Sequence, residues 1–100
     1  MARRQFQSVF DDVLVGSVTA DLASIDDGNE VAQSVTVAGA ALGDFCLVSC
    51  SIDSADLTLT ATVTSANTVE IIAANNTGGA VDLGSATYKV VVLSARDDLF

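Results

Sequence analysis

The sequence predicts an all-β protein, an antiparallel β-sandwich of six or seven short strands behind an N-terminal arm. Leu57, Leu59, Ala61 and Val63 alternate with Thr58, Thr60, Thr62 and Thr64, the period-two pattern of a strand with one apolar and one hydroxyl face. Ser65-Ala66-Asn67 breaks the run, after which Val69, Ile71 and Ala73 alternate with Thr68, Glu70 and Ile72, so the two runs read as a β-hairpin. From Gly16 onward, short apolar runs separated by polar turns continue to the C-terminus, with no long helical pattern among them. A two-stranded hairpin is marginal in water, so other strands must cover its apolar face. The architecture expected is immunoglobulin-like or jelly-roll-like, with a small barrel as the alternative.

Taken in order, the chain divides into an arm (1–14), a sandwich (15–95) and an acidic tail (96–100). The arm holds Arg3, Arg4, Phe6, Val9, Phe10, Val13 and Leu14. Its apolar positions recur at three- and four-residue steps, so one or two helical turns would present them on one face. Such a segment is too short to be helical alone and must dock, on its own domain or on a neighbouring subunit. The first strand expected is Ser17 to Leu22, with Val18, Ala20 and Leu22 facing one way, closed by the Ile25-Asp26-Asp27-Gly28-Asn29 turn. Val31 to Val37 follows. In Asp44 to Ser51, Phe45 and Leu47 oppose Cys46, Val48 and Cys50. Bulk on both faces suggests a strand between neighbours, with one face against another subunit. After the hairpin and the Asn75 to Ala80 loop, Ala86 to Ser94 completes the sheet, with Tyr88, Val90 and Val92 on one side and Lys89, Val91 and Leu93 on the other. If the sandwich is complete from about Gly16, loss of residues 1–14 would remove no strand.

Composition excludes several functions. One hundred residues make one domain. Thirteen acidic against four basic side chains give a net charge of -9, which repels a phosphate backbone, so no nucleic-acid partner is expected. No apolar run approaches the roughly 20 residues that span a bilayer, and no signal peptide is evident at the start. The chain is therefore expected to be soluble and unexported, without a membrane partner. With no histidine, Ser-His-Asp and Cys-His nucleophiles are unavailable, and we expect no enzyme and no cofactor. Aspartates at Asp11-Asp12, Asp26-Asp27, Asp53, Asp56 and Asp97-Asp98 fall in terminal segments or turns, where backbone hydrogen bonding explains them better than acid-base work does. Asp53, Ser54, Asp56 and Asp82 are the only loop residues worth weighing for calcium, and none matches an EF-hand. Cys46 and Cys50, roughly 13 Å apart along one strand, are too distant to bridge and read as apolar fillers. Asn75-Asn76-Thr77 fits the glycosylation triplet but reads as a loop, and Gly78-Gly79 lacks the following helix of a phosphate cradle.

Gly43-Asp44-Phe45-Cys46-Leu47-Val48-Ser49, then Asn76-Thr77-Gly78-Gly79-Ala80-Val81-Asp82-Leu83, then Ala86-Thr87-Tyr88-Lys89-Val90 form a spaced order that resembles short β-sandwich virion proteins of tailed bacteriophages. The resemblance covers roughly Val18 to Leu93. The pair Cys46 and Cys50 departs from it, standing where small or β-branched residues and often proline are expected. What the resemblance implies is a capsid decoration or cement protein on the outer capsid surface, assembled in the host bacterial cytoplasm. Its partners would be the major capsid protein and copies of itself, most simply as a homotrimer. A tail- or fibre-associated adhesion domain is the alternative. No catalytic or metal residue is carried over. Arg3, Arg4, Phe6, Val9, Phe10, Val13 and Leu14 are the candidate contact residues.

Overall fold

The structure, a computed structural model, describes the backbone of residues 10–95 and the side chains of residues 13–94. Six strands form over that range: β1 (Phe10–Leu22), β2 (Glu30–Thr36), β3 (Phe45–Cys50), β4 (Thr58–Ser65), β5 (Thr68–Ala74) and β6 (Gly84–Ala95). They make two three-stranded antiparallel sheets, ordered β1-β6-β3 and β2-β5-β4. The chain changes sheet at each connection except the β4–β5 hairpin, and β6 closes the first sheet by entering between β1 and β3. No helix of the described residues is long and apolar enough to cross a membrane.

Alternation explains the layers. Leu57, Val63, Val69, Ile71 and Ala73 of the hairpin region are buried and meet Tyr88, Val90 and Val92 of β6 in one core cluster. Fully burying each side chain of this size contributes about 1.5–3 kcal/mol before ordering costs. The hairpin's threonines stay exposed on the other side of β4. Its loop is tighter than the expected three residues: only Ala66 and Asn67 lie between the strands, and Asn67 takes a positive φ of 65°. Asparagine tolerates that conformation better than most residues.

The first strand starts earlier than its local spacing suggests. Phe10–Gly16 is strand, not helix, because it pairs with β6 from Ala95 back to Val90, with a register shift between Phe10 and Asp12. Long-range pairing here overrides a three- and four-residue apolar spacing. Leu14 points inward and packs against the core, while Val13 and Val15 point outward. Removing residues 1–14 would therefore take Phe10 to Leu14 out of β1, contrary to the expectation that no strand is lost. Gly16 marks a close approach to the second sheet. A Cβ there would lie 2.7 Å from Val37 Cγ2 and 2.9 Å from the Thr36 carbonyl oxygen, distances that only glycine avoids.

β3 also differs from expectation. It pairs with β6 alone and forms one edge of its sheet, rather than lying between two strands. Its inward residues Cys46, Val48 and Cys50 pack on the core, and its outward residues Phe45 and Leu47 are 48% and 62% exposed.

Candidate functional site

The outer faces of the two sheets have different chemistry. On β2-β5-β4, register places Ala32-Ile72-Thr60 and Ser34-Glu70-Thr62 in successive rows. That face is mostly hydroxyl and small. On β1-β6-β3, register gives Val13-Leu93-Phe45, then Val15-Val91-Leu47, then Ser17-Lys89-Ser49. Thr19 and Thr87 follow, their hydroxyls 2.9 Å apart. The first two rows are wholly apolar, and the next are polar.

The apolar rows are open to solvent. Val15 is 72% exposed and Val13 is 49% exposed, whereas Leu93 in the central strand is 7% exposed. With Leu47 and Phe45, these side chains expose on the order of 400 Å², within the range of the largest apolar patch on an ordinary monomer, which is often functional. A shallow groove of about 440 Å³, lined by Val15, Gly16, Ser17, Lys89, Val90 and Val91, joins the second apolar row to the polar one. Lys89 is the single basic side chain among residues 13–94. Among the described side chains of β1 and β6, the first carboxylate on the face is Asp21, opposite Ser85.

Of the contact residues expected from sequence, Val13 stands in the first apolar row. Leu14, one position on, is spent on the core. The Phe10 backbone pairs with Ala95, while its side chain, like all of Arg3, Arg4, Phe6 and Val9, lies outside the described residues. Val15, Leu47 and Val91 complete the patch and were not among the expected set. The bulk on both faces of β3 was the available signal for Leu47, whereas Val15 and Val91 join it only through pairing across the sheet.

The Gly43-Asp44 and Asn75 to Asp82 stretches hold turns. Asn75 is 1% exposed; its amide donates to the Ile25 carbonyl at 2.6 Å and the Gly79 carbonyl at 2.8 Å. Its Oδ1 accepts from the Thr77 backbone N–H and hydroxyl at 2.9 and 2.8 Å. The Gly78 N–H donates to the Asp27 carboxylate at 3.0 Å, and Ile25 and Val81 exchange backbone bonds. Two loops at the end of the sandwich are thus locked together, and a buried Asn75 is no acceptor for a glycan in the folded protein. The Asp44 carboxylate accepts from the Ala41 N–H at 3.0 Å, closing the turn into β3, where Gly43 has a φ of 94°.

Other polar groups follow the same logic. Asp53 accepts from the Ala55 N–H within its own turn. The described residues include no group of three or more His, Cys, Asp or Glu side chains placed to hold a metal ion, so Asp53, Asp56 and Asp82 do not converge. Neither Cys46 nor Cys50 is in a disulfide. Burial pushes the Cys46 thiol above its ordinary value, opposed by a hydrogen bond with the Val63 backbone and reinforced by the Asp44 charge. Tyr88 is fully buried with its hydroxyl unpaired; the Cys50 thiol is beside it without meeting hydrogen-bond geometry. Burial, then Cys50, then Asp21 push the phenol up.

Comparison of the chain with protein-family models, with curated proteins and with solved structures finds no match.

Proposed function

We propose that this chain is a tailed-bacteriophage virion protein that decorates the outer capsid surface and stabilises the shell by bridging coat subunits. The observation that carries the reading is the two-row apolar patch on β1-β6-β3, at the end of the sheet where residues 1–9 join β1. An acidic chain with one open apolar face is suited to contact between proteins, and the polar clusters described above serve turns. The spaced motifs that resemble virion proteins supply the class of partner; fold resemblance alone would not.

The mechanism is additive. Each bound copy buries apolar surface across a seam between coat subunits, and binding to the assembled shell alone shifts the balance toward it by mass action. Arg3, Arg4, Phe6 and Val9 extend the contact beyond the patch. Burying Phe6, Val9, Val13, Val15 and Leu47 supplies roughly 5–10 kcal/mol before ordering costs take back a large share. The test is to add purified protein to capsids and, separately, to tails that lack it. Saturable binding to capsids, with added resistance to heat, is expected. Binding to tails alone supports the adhesion-domain reading instead.

A further inference from the structure

We infer that the outer edge of β1 is a strand-addition surface, filled by the same edge of a second copy of this chain, so that two β1-β6-β3 sheets join into one of six strands. The inference goes beyond the decoration reading and uses a different surface, backbone groups at the sheet edge and not side chains of the outer face. Hydrogen bonds fix which groups those are. The Ser51 N–H donates to the Thr87 carbonyl at 2.9 Å, and the Thr87 N–H donates to the Ser51 hydroxyl at 2.8 Å, so Thr87 and every second residue of β6 from it face β3. Tyr88, Val90 and Val92 therefore bond β1, through their partners Val18, Gly16 and Leu14. The backbone N–H and C=O groups of Val13, Val15, Ser17, Thr19 and Asp21 then point off the sheet, and none of them has a backbone partner among the described residues. Five such positions over roughly 26 Å make a template for another strand.

The other edges are closed or guarded. β3 and β4 approach each other, with Cys46 of one bonded to the Val63 backbone of the other. β2 is seven residues long and opens on Glu30. β1 is the longest edge strand at 13 residues, the chain holds no proline, and Val13 to Ala20 carry no charge, so the usual devices against edge pairing are missing over this run. The register shift between Phe10 and Asp12 precedes it. A second copy fits because the run complements itself. With the strands antiparallel and Ser17 at the two-fold axis, Thr19 faces the partner's Val15 and Asp21 faces the partner's Val13. All five positions then pair in both copies, no carboxylate of the run meets another, and the contact is isologous. Backbone bonds supply the affinity in strand addition, so a large apolar area is not required.

Sedimentation and amide hydrogen exchange of the full chain, over micromolar to several hundred micromolar concentrations, test this. Wild type should form a reversible pair that tightens in about 0.5 M salt, because screening weakens the repulsion between two copies of net charge -9. The Val15, Ser17 and Thr19 amides should exchange quickly in the monomer and at least about tenfold more slowly in the pair. Those of Leu14, Gly16 and Val18, bonded to β6, should be protected in both. Ser17→Pro removes outward N–H groups at the axis without breaking the β6 ladder, and should weaken pairing at least about tenfold with an unchanged circular dichroism spectrum. Ser17→Asp is the milder variant; it sets two carboxylates opposite each other and should weaken pairing severalfold, less so in high salt. Thr60→Asp, equal in charge on the other sheet, should pair like wild type. A monomer throughout, a trimer, a pair whose three outward amides stay fast, or a monomer in which they are already protected overturns the inference. Wild-type monomers that bind capsids would remove the pairing and keep the decoration reading; pairing as expected with no binding to capsids would do the reverse.

Discussion

At the scale of single residues, polar side chains in this protein do most of their work on its own backbone. Asn75 satisfies two carbonyls and receives two donors from Thr77, linking the 25–29 and 75–81 loops from a fully buried position. Asn75→Ala removes all four bonds and strands buried acceptors, so it should cost about 2–4 kcal/mol in urea unfolding; a loss under 1 kcal/mol would mean the loops are held otherwise. Tyr88 is the opposite case. Its hydroxyl is buried without a partner among the described residues, so Tyr88→Phe should leave stability at pH 7 unchanged or raise it by up to about 1–2 kcal/mol. Because Tyr88 and Cys46 are held above their ordinary values of 10.0 and 9.0, the unfolded chain gives up these protons first as pH rises. The unfolded state then binds fewer protons, and stability falls with rising pH from about those values upward. Unfolding curves at pH 8 and pH 10.5 should show a smaller alkaline loss in Tyr88→Phe than in wild type. Equal losses would place the alkaline sensitivity elsewhere. None of this was legible in sequence: the glycosylation-like triplet advertised a loop, but burial of its first residue depends on Ile25, 50 positions away.

Among the elements, the hairpin of β4 and β5 was readable except for the length of its loop, because one side of it faces the core and the other water, and period two records that directly. Leu59 packs against the core cluster whereas Thr60 is exposed. Leu59→Asp should therefore abolish folding, since an unpaired carboxylate there incurs several kcal/mol of desolvation against a total stability on the order of 5–15 kcal/mol. Thr60→Asp should be tolerated, and equal melting temperatures for the two would contradict the assigned faces. β1 was only half readable. Its N-terminal part has exposed Val13 and Val15 and half-buried Leu14, an unbroken apolar run in which neither helix nor strand period can be recognised. What identifies it is β6, whose residues Val90 to Ala95 supply the missing pairing. β3 misled for a related reason: bulk on both faces usually marks a central strand, but here it marks an edge strand whose outer face is part of an exposed patch. The candidate surface was thus visible in fragments, Val13 in the arm and Phe45 and Leu47 in a later strand, which only the order β1-β6-β3 assembles.

For the whole molecule, the segregation of its surface matters most. The apolar rows and the start of β1 lie at one end of the first sheet, together with Asp12 and the Asp44 turn, and the 25–29 and 75–81 loops with the Asn75 lock lie toward the other. Because β1 begins at Phe10, a truncation meant to isolate the arm should stop at Val9. Protein lacking residues 1–9 should retain the melting behaviour of the full chain while its capsid occupancy falls, and full occupancy would show that the arm is not an anchor. The reading as a capsid decoration protein is tested most directly by counting copies in purified virions with quantitative mass spectrometry against the major capsid protein. A copy number of the same order as the coat protein is the expected result; a few dozen copies or fewer per particle, or none, would contradict it.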